Sequence, residues 1–216
     1  MKLLLSVGAF LMAGLCASAQ QSESNNEARS DARIGNMRQS QFMAINAKGA
    51  QMVSAIKPSS RRLSAADKQL FTKVALGGMR QLAISEAVLA TATDEDVRML
   101  AQSEVEEQTG VKAKLEEIAQ AKGLTLPAEP DAMTKTLVSR VQGLSADEVN
   151  AFYIRESGVK GHLLLQSTMT TVRSKAKDDT MKSLAAATLP VIKTHLTVSQ
   201  QIERGNKGKG SARSSR

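Results

Sequence analysis

Between Asp94 and Lys122, the residues Val97, Ala101, Glu104, Gln108, Val111, Leu115 and Ile118 recur at alternating steps of four and three. That period places them on one face of an α-helix. Thr93 and Asp94 supply its cap, and Gly123 its stop. The same period predicts the rest of the chain. From about Ala32 to Ile56, Ile34, Met37, Phe42, Ile45, Met52, Val53 and Ile56 return at roughly helical spacing, weakened by Gly35 and Gly49. Ser64, with Asp67 three residues on, opens a helix to about Thr91. A short helix over 131–142 ends at Gly143. Ser145 and Glu148 form a capping box that starts a helix to about Arg173, with Gly158 and Gly161 as weak points. Asp178 or Asp179 begins the last helix, which runs to about Glu203 and should kink at Pro190. The proline-bearing stretches 57–62 and 124–130 read as linker and loop. The expected architecture is all-α: an antiparallel four-helix bundle, with an additional N-terminal helix and a short helix between the second and third core helices.

Polar residues interrupt every apolar stripe. Gln81 and Ser85 lie on the inner face of 64–91, and Glu104 and Gln108 on that of 94–122. Glu107 flanks Glu104, Glu156 falls between Phe152/Tyr153 and Val159/Leu163, and His195 lies between Val191/Ile192 and Val198/Ser199. His162 sits at the border of its stripe. An unpartnered buried carboxylate costs several kcal/mol. If the helices align at mid-height, Gln81, Glu104, Gln108, Glu156 and His195 therefore form one inner polar layer. Two chemistries fit such a layer. One is a hydrogen-bonded network that fixes helix register, with no cofactor. The other is a transition-metal site (iron, manganese or zinc) drawing on Glu104, Glu107, Glu156, His162 and His195. The Glu-x-x-His pairs of di-metal bundles are absent, because Val159 and Ile192 precede the two histidines by three residues.

Composition adds a compartment. Lys2, the apolar run Leu3–Leu15 and Ala17-Ser18-Ala19 have the form of a secretory signal peptide, residues 1–19. The expected protein is exported to the periplasm or associated with the outer membrane. Cys16, the one cysteine, falls inside that segment behind Leu15, a poor context for lipidation. Removing the segment leaves no thiol and no run long enough to span a bilayer. The formal charge of +8 is concentrated in Arg204, Lys207, Lys209, Arg213 and Arg216, with no acid among residues 204–216. This stretch reads as a disordered basic tail whose partner is an anionic envelope surface. Nucleic acid is disfavoured, since the tail has no aromatic residue for base stacking. The chain then divides into signal (1–19), polar segment with N-terminal helix and linker (20–63), bundle (64–203) and tail (204–216). Two histidines, no retained cysteine and no Gly-x-Ser-x-Gly, P-loop or Rossmann pattern favour a structural, stress-related or binding role over an enzyme.

The stretches FTKVALGGMRQLAISEAVLA (71–90), DVRMLAQSEVEEQTGVKAKLEEIAQAKGLTLP (96–127), NAFYIRESGVKGHLLL (150–165) and SLAAATLPVIKTHL (183–196) resemble the bacterial domain of unknown function 4142 family. The resemblance implies a ferritin-like four-helix fold and an outer-membrane or secreted location. Family members commonly carry Ala-Glu where this chain has Arg80-Gln81, Asp-His at Glu107-Gln108 and Phe-Asp near Val149-Asn150. The histidines matching His162 and His195 are kept. The resemblance thus implies that amides replace several positions of a ferritin-like metal site, with Glu104, Glu107 and Glu156 as compensating donors.

Overall fold

A computed structural model describes residues 32–214, with side chains through residue 206. The signal-peptide reading of residues 1–19 and the polar stretch 20–30 fall outside the described residues. The chain enters through a two-stranded antiparallel hairpin, β1 (Arg33–Ile34) and β2 (Met37–Arg38), turning at Gly35 with φ +56°. The N-terminal helix therefore begins later than its apolar pattern suggests. Seven helical elements follow: α1 (Gln39–Ser54), α2 (Ala65–Leu89), α3 (Glu95–Lys122), α4 (Ala132–Gln142), α5 (Ala146–Tyr153), α6 (His162–Lys175) and α7 (Asp179–Ser214). Between α5 and α6 the helix continues as a π segment, Ile154–Gly161.

The expected caps are in place. Ser64 Oγ accepts from Asp67 N and Asp94 from Val97 N; Asp131, not among the expected caps, accepts from Thr134 N. Glu148 accepts from both the backbone N–H and the hydroxyl of Ser145. Gly123 ends α3 in the left-handed conformation. Helix α7 contains Pro190, as its pattern predicts, with that residue on its exposed side. The helix continues to Ser214, past the expected end near Glu203, so residues 204–214 extend it where a disordered tail was expected. Propagating a formed helix by a residue is far easier than nucleating one.

The architecture is an all-α bundle. Two apolar cores define its length. The first gathers Phe71 and Val74 of α2, Val111, Leu115 and Ile118 of α3, Leu165 and Met169 of α6, and Leu184 and Ile192 of α7. The second gathers Ile84 and Val88 of α2, Val97 and Leu100 of α3, Phe152 and Ile154, and Val198 and Ile202 of α7. Helix α2 passes from the first core to the second and α3 returns. The 123–145 connection, with α4 packed on α2, carries the chain back to the second core. The α5–α6 rod then runs to the first core and α7 back again. Neighbouring helices are thus antiparallel, with one long crossover.

Helix α1 is more than an appendage. It lies against α7 and α3, contributing Phe42 to the second core and Val53 to the first. Lys114 Nζ donates to Ser54 O and Ile56 O at its C-terminus, where helix carbonyls lack partners. Lys122 Nζ donates to Asp178 Oδ2 at 2.7 Å in a buried ion pair, and also holds Ser59 and Arg61 of the linker. Gly49 permits the close approach of α1 to α7: a Cβ there would stand 2.3 Å from Val191 Cγ2. Valine is stiff at χ1, so the helices would have to part. Gly49→Ala should therefore lose about 1–3 kcal/mol of stability by overpacking, despite the roughly 1 kcal/mol gain in helix propensity. Urea denaturation measures this, and an unchanged or higher midpoint would contradict the packing account.

Candidate metal centre

The two cores do not touch through the middle of the bundle. Between them each element contributes polar side chains: Asn46 from α1, Gln81 and Ser85 from α2, Glu104, Glu107 and Gln108 from α3, Ser157 and His162, and His195 and Ser199 from α7. Gln81, Glu104, His162 and His195 are fully buried. Of the five residues expected in the layer, Gln81, Glu104, Gln108 and His195 lie here and Glu156 does not.

Glu104 is its hub. Its Oε2 lies 2.8 Å from His162 Nε2 and 2.9 Å from His195 Nδ1, and its Oε1 accepts from Gln108 Nε2 at 3.0 Å. The second nitrogen of each ring is held by oxygen. His162 Nδ1 lies 3.0 Å from Ser157 O and 2.9 Å from Gly158 O. Since carbonyls only accept, Nδ1 carries a proton. His195 Nε2 lies 2.8 Å from Asn46 Oδ1. Asn46 Nδ2 donates to Phe42 O, which fixes the amide's orientation and makes Nε2 a donor. The rings stand 5.3 Å apart, near-perpendicular, and His195 stacks on Phe42.

Glu156, expected in the layer and among the metal candidates, is not there. It pairs with Arg155 and Lys160 at the surface. The cause is the π segment. Its i→i+5 hydrogen bonding changes the phase of the helix after Tyr153. Ser157 and Gly158 turn inward where Glu156 was expected, and His162 moves from the border to full burial. Gly161 completes this arrangement, because a Cβ there would stand 2.3 Å from Gln81 Oε1. That oxygen accepts from Ser157 Oγ at 3.0 Å. Asn46 is the contact that sequence reasoning missed. It sits four residues after Phe42 and seven before Val53 on the apolar face of α1, which was its signal.

The model of one family matches residues 53–202, most of the bundle. The chain belongs to the family described as Domain of unknown function (DUF4142). No curated protein and no solved structure matches it. Within this DUF4142 bundle, Gln81 and Gln108 occupy the layer as hydrogen-bonding amides, while Glu104, His162 and His195 bring one ligand atom each to within 4.8 Å of one another. Such a buried Glu/His/His group could hold a metal.

Electrostatics separate the four ionisable groups. Burial alone raises a carboxyl's pKa. At Glu104 the charge and hydrogen bond of His162, then those of His195, outweigh burial and hold the group well below the usual range. Glu107 has no such help. Burial first and the Glu104 charge second push it well above its ordinary value near 4.5. Burial lowers both imidazoles. At His162 the Glu104 charge and hydrogen bond win, and its pKa rises. At His195 burial prevails and the His162 charge adds to it, so its pKa falls. Two imidazolium rings this close repel, and one carboxylate stabilises only one of them well.

This leaves an imbalance. In the neutral form that burial favours, His195 keeps its proton toward Asn46 and points the Nδ1 lone pair at the Glu104 carboxylate. Both oxygens of Glu107 are buried without a hydrogen-bond partner, one of them 3.5 Å from the same Nδ1. Positive charge is wanted between these groups.

The Glu107 shift has a measurable sign. Its folded pKa lies above its unfolded one, so above about pH 4.5 the unfolded state binds fewer protons and stability falls as pH rises. In chelator-treated protein, Glu107→Gln should remove that loss. The melting-temperature difference, mutant minus wild type, should grow more positive from pH 5 to 8. A difference that is flat or shrinks with pH would contradict the burial of this carboxyl.

Proposed function

We propose that this protein is an exported helical bundle of the cell envelope whose mid-bundle centre binds one divalent transition metal. The observation carrying the reading is the orientation of the two imidazoles. Each holds its outward N–H against an amide or carbonyl oxygen and aims its other nitrogen at Glu104. Metal-binding histidines are held this way, because the outer acceptor fixes the tautomer and raises ligand basicity. Glu104, His162 and His195 would ligate the ion, with the orphaned Glu107 as a fourth donor. Two imidazoles and two carboxylates suit zinc, iron or manganese. The hydrogen-bond distances from Glu104 Oε2 to the ring nitrogens are a little shorter than the ligand–ligand edge of a tetrahedral site, about 3.3 Å for metal–ligand bonds near 2 Å. The set need open only slightly.

The role is binding rather than catalysis, since the inner donors are all protein groups buried between two apolar cores. Export rests on the signal-like first nineteen residues. Among the described residues no helix is long and apolar enough to cross a membrane.

Protein purified without a histidine tag and supplied with zinc, iron and manganese should hold about one ion per chain. Glu104→Ala and His195→Ala should abolish that binding. Asn46→Ala, which alters only the outer partner of His195, should weaken it about 10–100-fold with the helical spectrum retained. Substoichiometric content of all three metals would sink the reading.

For the basic end of α7, where Arg204 is exposed, we propose contact with anionic envelope lipid. Vesicles rich in phosphatidylglycerol should bind the protein in low salt and release it near 0.5 M salt, a range in which exposed charges are strongly screened (Debye length about 4 Å). Binding that survives deletion of 205–216 would rule this contact out.

A further inference from the structure

A cleft of about 360 Å³ opens between α1, α3 and α7 beside the candidate centre. Asn46 and Glu107 line it, and both reach His195. Its walls are kept open by small residues, among them Ala47, Ala50 and Gly110. Glu106 and Glu117 stand along it. The one ammonium there, Lys114, is already engaged by Ser54 O, Ile56 O and Glu117. The cleft therefore presents net negative charge leading to a carboxylate. Glu107 also borders a second, very small cavity of about 10 Å³ at the edge of the first apolar core, lined by Val74, Leu165 and Met169 together with Gly78, Gln108 and Thr188. It offers about the room of one water molecule. Glu107, only 10 % exposed and with neither oxygen hydrogen-bonded, thus stands between the cleft and His195, whose Nδ1 lies 3.5 Å from it.

We infer that this cleft is the port by which a divalent cation reaches the centre, with Glu107 as the carboxylate that passes it from the cleft to Glu104, His162 and His195. The inference rests on the metal-binding reading. A hydrated ion entering along Glu117 and Glu106 exchanges water for the Glu107 carboxylate, then moves on to the inner ligands as that side chain turns toward them. Protons balance the transfer: the ion displaces the proton of Glu107 and the inward proton of His162, and both leave to solvent. A second cleft, beside Gly78 and Leu126, abuts the centre on the opposite side of α3. There it meets the Gln108 amide, with Lys112 and Glu116 beside it, so it offers a cation no inward carboxylate.

Stopped-flow loading of chelator-treated protein with Co²⁺, read by its visible absorption, tests the port. A Cβ at Gly110 meets nothing within 4 Å. Gly110→Leu and Ala47→Leu should therefore narrow the mouth without disturbing the fold, and Gly110→Ala serves as the helix-propensity control. The two leucine variants should slow loading and chelator-driven release in parallel, each by at least about tenfold, equivalent to about 1.4 kcal/mol in the barrier. Ala128→Leu, which narrows the second cleft, should leave both rates as in wild type. Glu107→Gln should slow loading. Wild-type rates in Gly110→Leu and Ala47→Leu, or slowing by Ala128→Leu instead, would overturn the port while leaving the metal centre standing. A wild-type protein that gives no saturable Co²⁺ spectrum would overturn the metal reading and the port together.

Discussion

The structure depends on one carboxylate. Glu104 lies at mid-height in α3, removed from solvent, and binds α6 through His162, α7 through His195 and its own helix through Gln108. In a low-dielectric interior each of these contacts is strong, and the loss of any one is costly. The outer partners extend the constraint to the remaining helices: Asn46 brings in α1, and Gln81, through Ser157, brings in α2. Apolar packing alone would leave helix register loosely specified, because one turn of sliding exchanges one Leu-like contact for another. A polar layer with a single satisfying arrangement removes that freedom. The two cores on either side then pack around a fixed register.

The same layer is unevenly satisfied, and its surplus is directional. Outer ring nitrogens meet oxygens that demand protons, whereas the inner side gathers two carboxylates and a neutral imidazole with a lone pair to place. Glu104 is held toward its ionised form and Glu107 toward its protonated one, although they stand one turn apart on α3. The difference is that His162 and His195 face Glu104, while Glu107 meets only burial and its neighbour's charge. Environments that push paired carboxyls apart are a common mark of a functional centre. In the reading proposed here a divalent ion resolves the imbalance, and the cleft reaching Glu107 lets it in.

Much of this was legible in the sequence. The alternation of three and four in α3 placed Glu104 and Gln108 inward, and the same step located Gln81 and His195. Caps at Ser64, Asp94 and Ser145 marked helix starts closely. What escaped has specific causes. The π segment carries no periodic signature, so reading α-helical phase through residues 154–161 put Glu156 inside and left His162 at the border. Asn46 lay on a stripe that was read for its apolar members only, so α1 looked like an addition rather than a fifth wall of the centre. Gly49 looked like a weak helix position, but it is a contact position, which only the nearness of Val191 reveals. The hairpin before α1 and the extension of α7 to Ser214 depend on tertiary docking and helix propagation, which local pattern does not encode.

The central claim is that the inward nitrogens of His162 and His195 are a cation's ligands while their outward nitrogens keep their protons. Nitrogen-15 spectra of the imidazole rings, recorded before and after one equivalent of zinc, test it directly. The account predicts that His162 Nδ1 and His195 Nε2 remain protonated throughout, while His162 Nε2 and His195 Nδ1 move to the shifts of metal-bound nitrogen. Ring spectra that zinc leaves unchanged, or coordination through the outward nitrogens, would contradict it.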